Sequence, residues 1–216
     1  MPSFAYQAYK NNRIDVVRLI ASHAKLHDGS PGKKGLGHIT RSGVVMLCAA
    51  WELYAESLLV EALRYLCGKC ETPAQLPLTV QKELAKNVRE SKHELRPLAL
   101  ANDGWCTVLV AHAELWCAGL NTPKAAPLND LYEKLLGVPK LSDAWSCGAT
   151  TLNDFVGVRG DIAHRGRLAS YVTLPNLRGY LELIDNLAVE TDNTVASHLV
   201  ATAPGRRRPW RVTSSG

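Results

Sequence analysis

The sequence predicts an all-α fold, a bundle of about five to seven helices, and three observations carry the prediction. Apolar residues recur at three- and four-residue steps over long stretches, as one buried face of a helix requires. Sustained period-two alternation is missing, and no Asn-Gly turn joins β-branched runs. At 216 residues, with 46% hydrophobic and 21% charged side chains, the chain is long enough to enclose one sizeable core.

The elements follow in order. A first helix is expected over Phe4 to Leu26, burying Val16, Val17, Leu19 and Ile20. Asp28 to Gly35 is a Gly/Ser/Lys linker by composition. The clearest helix runs from about His38 to Cys67, where Val44, Cys48, Trp51, Ala55, Leu58, Ala62 and Tyr65 form one apolar stripe and Ser42, Glu52, Glu56 and Glu61 fall off it. Leu78 to Leu95 reads as one or two polar helices stopped near Pro97. Trp105 to Leu120 reads as a core helix, Pro123 to Pro127 as a loop, and Leu128 to Leu136 as a short helix ended by Gly137 and Pro139. The next helix opens near Thr150, with Thr151 and Asp154 in capping-box register. It buries Leu152, Phe155, Val156 and Ile162 and stops at Gly166. Leu174 to about Val200 forms the last, with Leu177, Leu181, Ile184, Leu187 and Ala188 inside.

The net charge of +5 is concentrated at one end. Arg206, Arg207, Arg208 and Arg211 fall within the last eleven residues, which contain no acid, so residues 1–205 carry only +1. Residues 1–200 are therefore read as one helical domain and 201–216 as a basic, disordered tail. Such a tail with Trp210 suits either solubility or a grip on an RNA backbone with a base stacked on the indole. No run approaches the roughly 18 apolar residues of a membrane span, and residues 1–10 lack a signal pattern, so the expectation is a cytoplasmic protein with no membrane partner. Cys67-Gly68-Lys69-Cys70 has the spacing of half a zinc site, but no second close pair completes it. Cys48 and Cys117 look like small core residues, and neither a metal nor another cofactor is expected.

The chemistry-bearing stretch is Arg159-Gly160-Asp161-Ile162-Ala163-His164-Arg165-Gly166. Arginine is a permanent cation whose fork of donors fits phosphate oxygens. Histidine both takes and gives a proton near neutrality. On an ideal helix the two lie about 140° apart, so convergence needs a reaching arginine or a loosened helix end. Asp161, three residues before His164, is placed to orient the ring, whereas a purely structural reading pairs Arg159 with a local acid such as Asp154. Arg165 and Arg167 add cations next to the pair, and with Arg206, Arg207 and Arg208 are the expected RNA contacts.

The segment from Leu152 to Gly166 resembles the C-terminal signature of HEPN domains, whose hallmark is an arginine followed four to six residues later by histidine. Upstream, Ile39-Thr40-Arg41-Ser42 leading into Ala50-Trp51-Glu52-Leu53-Tyr54 is similar to the Trp-Glu helix of RiboL-PSP-type HEPN proteins. The resemblance runs over residues 38–66 and 150–188. It departs at Gly160, where many members place Asn, Asp or His, and at Arg165, which intervenes before the glycine. The resemblance implies a HEPN-like bundle and a dimeric, metal-independent endoribonuclease with a composite site. Such proteins are often toxins or anti-phage effectors with an antitoxin or sensor partner. Arg159 and His164 would be catalytic, with Asp161 and Glu52 as helpers. Two other readings stay open: a HEPN-like module that binds RNA, nucleotide or protein without cutting, and a helical scaffold with an accidental motif.

Overall fold

The computed structural model describes residues 1–26 and 35–214; the linker expected from Asp28 lies, apart from Gly35, outside the described residues. The described residues form an all-α bundle of α1 (Phe4–Asn12), α2 (Ile14–Leu26), α3 (Gly37–Cys67), α4 (Leu78–Arg89), α5 (Gly104–Ala118), α6 (Ala125–Leu136), α7 (Gly148–Arg165) and α8 (Leu174–Thr202), with short 3₁₀ turns between some of them. Arg13 alone separates α1 from α2, so the expected first helix is present but broken once. Only Val16 of its four expected core residues is fully buried, and Val17 is exposed.

The organising element is α3. It packs against α1, α2, α5, α6, α7 and α8, and Val44, Cys48, Trp51, Ala55, Leu58 and Ala62 of its stripe are each completely buried. By length and composition it could cross a membrane, but burial inside the bundle accounts for that composition. Two aromatic hydroxyls fix its rotation: Tyr54 donates to the Ala188 carbonyl and Tyr132 donates to that of Ala55, both at 2.7 Å. Gly43 permits a close approach of α3 to α8, because a Cβ there would stand 2.5 Å from a Leu177 methyl.

Local sequence rules explain most boundaries. Ser3 caps α1 by accepting from the Tyr6 N–H. Thr173 and Asn176 form a capping box at α8. Gly137 ends α6 in the left-handed conformation, φ +78°. Pro127, expected in a loop, instead sits in the first turn of α6, where its missing N–H costs nothing. The capping box expected at Thr151 is absent. Helix α7 starts three residues earlier, at Gly148, and the Thr151 hydroxyl donates back to the Cys147 carbonyl.

The C-terminal segment is not a loose arm. Trp210 is 8% exposed and donates its indole N–H to the Asp192 carbonyl. The completely buried Asp192 carboxylate accepts from Ser3 near one end of the chain and from Thr213 near the other. Asn193 pairs with the Thr213 backbone in both directions, at 2.8 and 2.9 Å. Two hydroxyl donors offset the cost of burying the carboxylate, and the three arginines before Trp210 are held against the bundle rather than trailing from it.

Candidate active site

Helices α3 and α7 lie side by side and run in opposite directions. Near the start of α7, Asn153 accepts the Ala125 N–H, close to where Trp51 donates to the Pro123 carbonyl. Beyond its end, the Val172 carbonyl accepts from Thr40 near the start of α3. This register brings Arg159, in the middle of α7, against Cys48 and Glu52 of α3, and the cation acts electrostatically on both.

Trp51 explains why Glu52 lies there. The indole is completely buried, hydrogen-bonded to Pro123 and packed edge-on to Trp145 with centroids 6.1 Å apart. The next residue is rotated by about 100°, out of the core and into the α3–α7 seam. Glu52 is part-buried, and burial raises its carboxyl above the usual range while Arg159 pulls it back down. Cys48 behaves as the expected core thiol, pushed up to about 11 by burial against the opposing pull of Arg159. Arg159 is half-buried, and among the described residues its guanidinium makes no hydrogen bond or ion pair. Its donor fork is therefore uncommitted, and the structural pairing with Asp154 is not formed.

His164 is exposed on the last turn of α7. It is rotated about 140° from Arg159, and Gly166, at φ +53°, ends the helix immediately afterwards. Within one chain the two motif residues do not meet. Asp161 does not orient the ring: it faces Arg165, whose Nε lies 3.8 Å from its carboxylate. His164 and Arg165 both neighbour Asp161 on the helix surface, and the permanent cation of Arg165, four residues on, is the one that its carboxylate faces. Arg165 and Arg167 are exposed beside His164, whereas Arg206, Arg207 and Arg208 belong to the segment pinned by Trp210. There Tyr65 donates to the Arg207 carbonyl, and Arg208 donates to that of Trp210.

One residue near the seam was not singled out as functional by the sequence. Glu56 lies one helical turn from Glu52, and its carboxyl is pushed up to about 7, first by burial and then by the charge of Glu52. Two acids four apart on a mostly buried helix were the available signal. Far from the seam, Cys106 comes up to the Cys67–Cys70 pair, its thiol 3.9 Å from the Cys67 carbonyl. Among the described residues, however, no three His, Cys, Asp or Glu side chains are arranged to hold a metal ion.

The pattern of the RiboL-PSP-HEPN family matches residues 11–197, which span every helix from α2 to α7 and nearly all of α8. The chain belongs to the RiboL-PSP-HEPN family. No curated protein and no solved structure matches it. Membership places both sequence anchors of this HEPN protein, the Trp51-Glu52 pair and the Arg159-x4-His164 motif, inside one matched region. The fold brings Glu52 and Arg159 into one seam and leaves His164 at its open end.

Proposed function

We propose that this HEPN protein is a metal-independent endoribonuclease that cleaves RNA by internal transesterification. The observation that carries the reading is an Arg159 with no hydrogen bond or ion pair among the described residues, on a helix packed against α3 within electrostatic reach of Glu52, with His164 exposed on the same helix. RNA supplies its own nucleophile, the 2′-hydroxyl, so the protein has three tasks. It must remove that proton, stabilise charge on the phosphate and protonate the departing 5′-oxygen. His164 suits the proton transfers. The uncommitted guanidinium of Arg159 suits the phosphate, and Glu52 holds it in place through charge. Arg165 and Arg167 add exposed positive charge for the flanking backbone.

The working unit is a two-fold dimer with a shared cleft. One copy of the motif supplies a single arginine and a single histidine, about 140° apart around the helix, whereas a symmetric pair brings two of each together. The exposed face of α3 supports this: Val45, Met46 and Leu53 are 37, 39 and 50% exposed and flank Glu52. Exposed apolar side chains beside the candidate site suit a surface that another copy of the chain covers. The biological setting we assign is a cytoplasmic toxin or anti-phage effector restrained by an antitoxin or sensor.

A second reading has its own support. Gly160 replaces the polar residue that many relatives of the motif place after the arginine, and the arginine and histidine are separated within the chain. Both features suit a module that binds RNA without cutting it. The test is incubation of the purified protein with total cellular RNA, with and without EDTA. The nuclease reading expects cleavage in both arms. Binding without cleavage would establish the second reading instead.

A further inference from the structure

One helical turn beyond Glu52, the same face of α3 forms the floor of a groove of about 710 Å³ between α1 and α5. Its walls are mainly apolar, with Phe4 and Ala8 on one side, Cys117 on the other, and Val60 beneath. The charged groups at its edge are accounted for, with one exception. Glu61 accepts the backbone N–H groups of Phe4 and Ala5 at 3.0 and 2.8 Å, and Arg64 pairs with Glu114 at 2.7 Å. Glu56 is part-buried, and among the described residues its side chain has no hydrogen-bond or ion-pair partner.

A carboxylate offers only acceptors, on two oxygens lying side by side. The complementary ligand is a flat group presenting two adjacent N–H donors. Of the four RNA bases, guanine alone has that edge, with its ring N1–H next to its 2-amino group. Adenine, cytosine and uracil each set an acceptor beside a donor on the same edge. Phe4, 73% exposed at the groove wall, offers a ring face for a base to stack on, the usual way single-stranded RNA is held. Glu56 stands about 6 Å along α3 from Glu52, which puts the groove on the same helix as the acid that feels the charge of Arg159.

We infer that this groove is a nucleobase subsite in which Glu56 reads the paired donors of guanine next to the scissile phosphate, an assignment that rests on the ribonuclease reading above. The charge of Glu56 fits the task. Held near half-protonation at neutral pH, it repels an incoming phosphate backbone less than a full carboxylate would. Two donors arriving together then draw the proton off.

The test is calorimetric titration of the full-length protein with guanosine 5′-monophosphate and, separately, adenosine 5′-monophosphate. The wild type should prefer the guanine nucleotide by about tenfold or more. Glu56→Gln, whose amide replaces one acceptor with a donor, should reduce that preference to about twofold or less while melting no lower than wild type, because the carboxylate has no hydrogen-bond or ion-pair partner among the described residues to lose. Phe4→Ser should weaken both nucleotides together. Equal affinities in the wild type, no measurable binding, or a preference that survives Glu56→Gln would each overturn the assignment. So would a Phe4→Ser variant that binds normally but loses self-association, which would give the groove to a protein contact. Mapping cleavage sites separates this idea from the one beneath it. Cutting with no preference for guanine removes the subsite and keeps the nuclease, whereas guanine-selective binding without cutting does the reverse.

Discussion

Trp210→Ala should destabilise the protein substantially, although the residue lies in a stretch whose composition reads as a loose tail. The indole is 8% exposed, and its N–H is committed to the Asp192 carbonyl. Truncating a buried tryptophan costs about 3–5 kcal/mol. The loss also loosens the hold on Thr213, one of two hydroxyls donating to the buried Asp192 carboxylate. For a domain of this size each kcal/mol lowers the melting temperature by about 2–4 °C, so the expected drop is roughly 6–20 °C. Thermal denaturation followed by far-ultraviolet circular dichroism measures it. Arg206→Ala, whose side chain is exposed, is the control and should shift stability by less than about 0.5 kcal/mol. A Trp210→Ala melt within about 2 °C of wild type would refute the docking of this segment. Removal of residues 206–216 would then again be a harmless truncation.

Three further outcomes follow from the same geometry. Gly43→Val should cost about 1–3 kcal/mol through the clash with Leu177, read as a lower urea midpoint, whereas Gly160→Ala, where nothing lies within 4 Å of the added carbon, should gain up to about 1 kcal/mol. Glu56 has a folded-state pKa of about 7, raised above its ordinary 4.5, so the folded form binds the proton more tightly. Its contribution therefore favours folding at low pH and is lost as pH rises from about 4.5 to about 7; urea titrations across that window should show the decline in wild type and less of it in Glu56→Gln. Finally, RNA products should carry 2′,3′-cyclic phosphate and 5′-hydroxyl ends by mass spectrometry, and a 2′-deoxy sugar at the scissile position should block cutting. Products with 5′-phosphate ends would mean that water rather than the 2′-hydroxyl attacks.

Helical periodicity was enough to find α3, α5 and the buried face of α7, because an apolar stripe at 3.6-residue spacing has few other uses. It was not enough where a contact joins residues distant in sequence. Nothing local to Trp210 announces Asp192 as its partner, so an arginine-rich stretch with Pro and Gly nearby reads as solvated. The break at Arg13 is a similar case. The guanidinium pairs with Asp185 on α8, and Tyr9 donates to the same carboxylate. Arg13 itself keeps helical dihedrals, so this junction is a slight interruption that a tertiary anchor accompanies and periodicity alone does not reveal. At the site, the motif identified Arg159 and His164, but its spacing could not say what lies across the seam. The antiparallel packing of α3 and α7 is what puts Glu52 within the electrostatic reach of Arg159. Asp161, adjacent to the histidine in sequence, proved to face Arg165 instead.

The most direct test of the central claim is single-turnover cleavage of one defined RNA, in EDTA, by wild type, His164→Ala and Arg159→Ala. All three should give the same circular dichroism spectrum, since His164 is exposed and Arg159 half-buried. Proton transfer by a positioned side chain is worth about a hundredfold to ten-thousandfold, so the histidine variant should lose at least about a hundredfold in rate. The arginine variant should fall by a comparable factor through lost stabilisation of the phosphate. Wild-type rates in both folded variants would contradict the assignment of RNA cleavage to this motif.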